Sequence, residues 1–394
     1  MADISTLNGV AVGDVASMNG SDAGDCASVN GQVWPNLAGK LYSWGQNNFG
    51  GLGQGHEINT SSPAQIGSAS NWVSVASHYA TLAINDSGEL YVWGKNNRGQ
   101  LGLGHVNGVS APVQIDNGTT WSKVSTGNNH CFALKTDGTM WSWGQGTDDG
   151  VLGIPNAINR SSPVQIGDLT TWADVQAGSG MGFAIKTDGT MWSWGKDYRG
   201  SLGTDEDHQH KRSSPVQIGS LTNWAKLARS ESGVMFAINT SGELYGWGWN
   251  AIGIIGLGHK ELVTEPAKVG AETNWEDATV GGQQAIFKKT NGTIWATGIY
   301  FALGLEDSIN RSSPTQIGGL TTWKSIAVSG PYTGSAINNA GQFWVWGDGR
   351  NGQFGNKTLL HNGGGIASSP IQVGTETDWK SSFGGSRAVF GISD

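Results

Sequence analysis

Short apolar runs alternate with glycine- and serine-rich segments along nearly the whole chain, and the alternation repeats at an interval of about 50 residues. The clearest marker is an aromatic or apolar residue followed two positions later by Trp-Gly, at Trp44-Gly45, Trp93-Gly94, Trp143-Gly144, Trp194-Gly195, Trp247-Gly248 and Trp346-Gly347, with a degenerate sixth copy at Thr297-Gly298. Each unit adds a proline (Pro63, Pro112, Pro163, Pro215, Pro266, Pro314, Pro370) and a second tryptophan (Trp72, Trp121, Trp172, Trp224, Trp275, Trp323, Trp379) in the same order. An apolar stretch such as Phe183-Ala184-Ile185 then enters a turn such as Asp188-Gly189, whose glycine supplies the positive φ of a tight hairpin. Each unit therefore reads as about four short strands.

Side chains alternate sides along a strand, so the two tryptophans of Met140-Trp141-Ser142-Trp143 share a face. Small residues in the neighbouring strand (Ala83, Ala133, Ala184, Ala237, Ala336) leave room for such rings. Large-on-small packing between radially arranged sheets predicts an all-β, seven-bladed β-propeller of four-stranded blades. Phe390-Gly391-Ile392-Ser393-Asp394 aligns with Phe183 to Thr187 and stops before the expected turn, while Gly39 to Trp44 supplies the strand that should follow. One blade is thus expected to combine strands from both ends of the chain, pairing edges that would otherwise be open.

The pattern Trp-Gly-x-Asn-x-x-Gly-x-Leu-Gly of Trp93 to Gly102, with the run Gly127 to Leu134, resembles the regulator of chromosome condensation repeat family across residues 38–394. The resemblance implies a seven-bladed propeller. Its members include a guanine-nucleotide exchange factor, a secreted β-lactamase inhibitor and a plant UV-B photoreceptor, so it does not select a function.

Residues 1–37 stand apart from the 38–394 propeller. Asn8-Gly9, Asn19-Gly20 and Asn30-Gly31 are spaced by eleven residues, and the segment holds four acidic residues and no Lys or Arg, half of the net charge of −8. Ile4, Leu7, Val15, Met18 and Val29 recur in register and suit an arm docking on another surface. A flexible acidic tail is the alternative. These short units resemble ones at the front of phage and marine bacterial structural proteins.

A pI near 5.5 and only 14% charged residues argue against a nucleic-acid face. Two cysteines, Cys26 and Cys131, make no disulfide framework, and Cys131 reads as an inert strand residue. The N-terminus carries no basic-then-apolar leader and no stretch is long enough to span a bilayer, so cytoplasmic residence, or a virion if phage-encoded, is expected.

Candidate chemistry is sparse. Gly347-Asp348-Gly349-Arg350-Asn351-Gly352 matches G-x-G-x-x-G but opens no helix, so dinucleotide binding is not expected. Asp205 to Arg212 reads as a solvated loop and not a metal site, and His130 as a structural histidine. The loop after Trp-Gly is polar in most units but apolar in two neighbours, at Trp249 with Ile252 and at Ile299-Tyr300-Phe301. These five residues are candidate partner contacts, or else core filling for the tryptophan lost at Thr297. Arg160, Arg212 and Arg311 precede Ser-Ser-Pro and could form a polar rim or cap turns. The sequence predicts a non-enzymatic, cofactor-free interaction platform, foremost a phage virion or attachment component binding virion proteins, a host receptor or a glycan. The second reading is a soluble inhibitor or regulator that covers an enzyme or GTPase with one face.

Overall fold

The computed structural model describes residues 38–115, 120–146, 150–155, 158–204, 211–230, 233–356 and 365–394, with the backbone of two short hairpins before them. Those hairpins pair Thr6–Leu7 with Val10–Ala11 and Cys26–Val29 with Gln32–Pro35, bracketing two of the Asn-Gly pairs. The docking-arm side chains of Ile4, Leu7, Val15, Met18 and Val29, and the cluster 205–210, lie outside the described residues.

Seven antiparallel sheets form a ring, numbered here by the Trp-Gly copy each contains. Blade 3 is typical, running Trp121–Thr126, His130–Lys135, Met140–Gly144 and Arg160–Gln165 from the axis outward. The second-Trp strands of successive blades touch one another around the centre, and the Ser-Ser-Pro strands form the half-exposed outer edge.

Two glycine positions explain the repeat. The glycine of Trp-Gly has φ between 85° and 114° in all seven blades, where the outermost strand shifts register against the third. A Cβ there would lie 2.4 Å from the Asn129 carbonyl in blade 3. The glycine ending the following loop supports the tryptophan of the next blade: a Cβ on Gly53 would be 2.7 Å from the Trp93 indole, and one on Gly102 3.1 Å from that of Trp143. Five of the six indoles, all but Trp346, then donate to a loop carbonyl of the preceding blade, as from Trp44 to Gln353 (2.8 Å), Trp93 to Gly51 (2.8 Å) and Trp143 to Gln100 (2.9 Å). Tryptophan and glycine are thus one interlock between blades.

Inside each blade the second tryptophan meets a third-strand aromatic edge-on at 5.0 to 6.3 Å, as in Trp121–Trp141 and Trp224–Tyr245. The hairpin turn beside this pair takes two forms. In blades 3, 4 and 6 a lysine lies over the outer ring (Lys186 Nζ is 3.7 Å from the Trp192 centroid), and that indole donates to the turn threonine (Trp192 to Thr190, 2.8 Å). In blades 2 and 5 an asparagine and a tyrosine both donate to a turn glutamate (Asn239 and Tyr245 to Glu243). Cation–π contact and carboxylate hydrogen bonding are alternative ways to fasten the same turn.

The ring closes as expected. Ala388–Ser393 pairs with Trp379–Gly384 on one side and with Lys40–Gly45 on the other. One departure from four-stranded regularity appears. The axial strand of blade 5 ends at Leu227, whose N–H is taken by the Asp174 carboxylate of blade 4, and Arg229–Ser230 crosses to pair in parallel with Thr279–Val280 of blade 6. The sheet of blade 6 therefore has five strands.

Candidate protein-binding face

The turn between first and second strands and the loop between third and fourth strands emerge at the same end of every blade. In all seven, the residue after Trp-Gly donates its N–H to the carbonyl of the residue just before the second strand: Gln46 to Arg387, Lys95 to Tyr79, Gln145 to Asn129, Lys196 to Gly180, Trp249 to Gly233, Ile299 to Gln283 and Asp348 to Tyr332. A constant backbone thus displays a pair of variable side chains in five blades and a single one in blades 4 and 5, where the acceptor residue is Gly180 or Gly233. Three of the long loops are braced from within. The buried carboxamides of Asn47, Asn96 and Asn250 accept from the N–H five residues on and donate to the carbonyls of His56, His105 and His259.

Exposed large apolar side chains concentrate at this end. Ile58, Val106, Ile158, Leu262 and Ile309 precede the outermost strand, and Phe49, Tyr198 and Tyr300 occupy the loops after Trp-Gly, while the opposite end exposes Leu169, Leu221 and Leu320. In blade 6 the loop is two residues shorter than in blade 5 and forms a single 3-10 turn, Tyr300–Ala302. Tyr300 is 40% exposed and meets Phe301 edge-on at 5.5 Å, and Phe301 packs on Tyr332 of blade 7 at 5.0 Å. The three rings form a ledge across the blade boundary. A second cluster spans blades 1 and 2, where Lys95 Nζ lies over Phe49 (5.2 Å) and Tyr79 (4.8 Å).

The model of the regulator of chromosome condensation (RCC1) repeat matches residues 38–83, 87–134, 137–185, 188–237 and 241–287. The chain belongs to the RCC1 repeat family. Among curated relatives it is similar to the ultraviolet-B receptor UVR8 of Arabidopsis thaliana (28% identity over 59% of this chain and 54% of the receptor). It is also similar to the mouse regulator of chromosome condensation (26%, over 59% of this chain and 61% of the regulator). The human E3 ubiquitin-protein ligase HERC2 matches at 27% over 60% of this chain but only 5% of the ligase, so the chain spans a small part of that relative and little over half of the other two. Among solved structures, Prp20p from Saccharomyces cerevisiae superposes with a TM-score of 0.81 at 19% identity, covering 98% of this chain and 95% of Prp20p.

Within this RCC1-repeat propeller the residues singled out by sequence fall into three groups. Tyr300 and Phe301 join the ledge, Tyr300 exposed and Phe301 half-buried like the adjacent Ile299. Trp249 and Ile252 are half-buried against the shared core of blades 4 to 6, and the Trp249 indole N–H is turned inward. Arg160, Arg212 and Arg311 each pair by backbone with the Trp-Gly glycine (Gly144, Gly195, Gly298), and Arg311 is held by Asp307 and the Ile309 carbonyl.

The remaining candidates are accounted for by packing. His130 is buried, its Nε2 lies 3.2 Å from the Met181 carbonyl, and burial pushes the imidazole down to about 4. Burial drives the Cys131 thiol up, and its Sγ shares the Gln100 carbonyl with Trp143. No group of three or more metal-ligating side chains gathers among the described residues, and the strand Phe343–Asp348 leads from Gly347 into a turn with no helix behind it. Sequence reasoning missed Tyr332, Tyr79 and Arg387, although all three occupy one repeat position, the residue before the second strand.

Proposed function

We propose that the chain is a non-enzymatic regulatory propeller that binds a protein partner, an enzyme or a GTPase, through the end carrying the Tyr300–Phe301–Tyr332 ledge. The observation that carries this reading is the ledge itself: exposed Tyr300 and half-buried Phe301 and Tyr332 bridging two blades, at the end where most exposed apolar side chains stand. Family membership supports it, since Prp20p is described with its binding to Gsp1p and histones, a protein-binding use of a propeller of the same fold. Residues 1–37 are assigned to a tethering arm, and the virion attachment role expected from sequence draws support from its short repeats alone.

A photo-crosslinker placed at Tyr300 and, as a control, at Leu221 on the opposite end identifies the partner and the end it occupies. The isolated partner should then bind Tyr300→Ala and Phe301→Ala at least about tenfold more weakly, since burying one large ring contributes roughly 1.5–3 kcal/mol. Unchanged affinity, or crosslinking from Leu221 alone, would remove this end from consideration.

A further inference from the structure

Beside the ledge, at the boundary of blades 7 and 1, lies a cleft of about 360 Å³ walled by Ser329, Tyr332, Asp348, Arg350 and Arg387. Its volume sits near the lower bound of small-ligand sites, roughly 300–1,000 Å³, enough for one extended side chain and too little for a folded element.

Four features define what it takes. Asp348 is nearly buried and clasped by Arg350, whose Nε donates to Oδ1 (2.9 Å) and whose Nη2 donates to Oδ2 (2.6 Å). Burial alone would raise that carboxyl, but the hydrogen bonds and charge of Arg350, with Arg387 nearby, hold it below the usual carboxylate range. The clasp fixes the Arg350 plane and leaves Nη1 without a hydrogen bond among the described residues. Arg387 is exposed, and its guanidinium has no ion pair or hydrogen bond among the described residues. It is also one of three non-glycine residues at positive φ (64°) among the described residues, a strained backbone held at a site wall. Finally, Ser329 lines the cleft, 1% exposed, and its hydroxyl has no hydrogen-bond partner among the described residues.

We propose that this cleft receives the carboxylate of a glutamate or aspartate side chain from a protein partner. Two guanidinium groups against one ionised Asp348 leave a single net positive charge, which matches a carboxylate monoanion. A phosphate carries more negative charge and would be repelled by Asp348 at close range. The planar fork of Arg387 matches a carboxylate in two parallel hydrogen bonds, and Ser329 supplies a further donor. The source is a protein because Tyr332 is both a wall of the cleft and the end of the aromatic ledge, so flanking apolar residues of a chain entering the cleft would lie on Phe301 and Tyr300. The proposal rests on the protein-binding reading of this end and names the anchor it would use.

The test follows the arginine Nε–Hε resonances of the full-length ¹⁵N-labelled chain, assigned with Arg350→Lys and Arg387→Asn, asparagine being tolerant of positive φ. The chain is titrated with the blocked tripeptide Leu-Glu-Leu, its Leu-Gln-Leu counterpart, acetate and inorganic phosphate. Leu-Glu-Leu should shift both arginine signals and bind at least about tenfold more tightly than Leu-Gln-Leu, about 1.4 kcal/mol. Arg387→Asn should abolish that preference, and Ser329→Ala should weaken binding severalfold while the fold persists. Equal binding of the two peptides overturns the carboxylate pocket but leaves the ledge standing, because Phe301→Ala reads the ledge separately. Acetate binding as tightly as the peptide overturns the protein source, and tighter phosphate overturns the carboxylate.

Discussion

The Thr297 hydroxyl donates to the Ile254 carbonyl, replacing the indole N–H that makes the equivalent bond from Trp44, Trp93, Trp143, Trp194 and Trp247. The lost tryptophan therefore leaves its hydrogen bond intact, and a Cβ added at Gly256 would meet the Thr297 methyl, Val269 and Pro314 at 3.2 to 3.3 Å. The consequence passes one blade on. The shortened loop after Thr297 supplies no acceptor to the next blade, and the buried Trp346 indole N–H has no partner among the described residues.

Thr297→Val keeps the shape and removes the donor, leaving the Ile254 carbonyl buried and unsatisfied. A loss of about 1–3 kcal/mol in urea unfolding is expected. Trp346→Phe, by contrast, removes an N–H already unpaired. It should cost less than the same change at Trp143, whose N–H is bonded to Gln100, by the difference of one hydrogen bond or about 1 kcal/mol.

Removal of residues 388–394 deletes a strand paired on both sides, to Trp379–Gly384 and to Lys40–Gly45. Two sheet edges open and the Trp44–Phe343–Trp379 cluster loses its cover. The truncated chain should lose the sharp cooperative transition and much of its near-ultraviolet tryptophan circular dichroism. A transition as steep and as high as that of the full chain would show that closure contributes little.

The repeat made the architecture legible, because Trp-Gly spacing, hairpin glycines and strand alternation are local signals that sum to one answer. The ends of the chain were legible for the same reason: Phe390 to Asp394 is half of a repeat whose other half begins at Gly39. The site was only partly legible. Tyr300 and Phe301 stood out by breaking the polarity of their loop, yet Trp249 broke it equally and packs against the core, since polarity does not say which way a ring turns. Tyr332, Asp348, Arg350 and Arg387 come together from two neighbouring blades, and each looks ordinary within its own repeat. The crossing of Arg229–Ser230 to blade 6 likewise accompanies the capture of the Leu227 N–H by Asp174, a contact between blades that periodicity does not encode.

Asp174 also tests how the axis is held. At equivalent positions of the axial strands, blades 3 to 6 carry Lys123, Asp174, Lys226 and Asp277, with ion pairs Lys123–Asp174 and Lys226–Asp277 (2.8 Å), whereas blades 7 and 1 carry Ser325 and Ser381. Breaking a buried pair costs about 3–5 kcal/mol, but Lys123 is a third exposed and can be rehydrated. Asp174→Asn, which keeps an acceptor for Leu227, should therefore lose about 1–3 kcal/mol. Ser325→Ala, at a neutral position where Ser325 meets Ser382, should lose about 1 kcal/mol. Equal losses would mean that the charges add nothing to the axis.

His130 gives the propeller a pH-dependent stability of predictable sign. Its folded imidazole is depressed to about 4 by burial, against an ordinary value of 6.5. The unfolded chain therefore binds a proton between those values that the folded chain does not, and stability is full above pH 6.5 and falls as pH drops towards 4. A depression of this size corresponds to about 3 kcal/mol lost across that window. His130→Met places there the residue that blade 4 carries at Met181. Between pH 7 and 4 this variant should lose less stability than the parent chain by about that amount, measured as the difference in urea-unfolding free energy. Parallel pH profiles for the two proteins would mean that His130 binds its proton without unfolding, and that its burial imposes no cost on protonation.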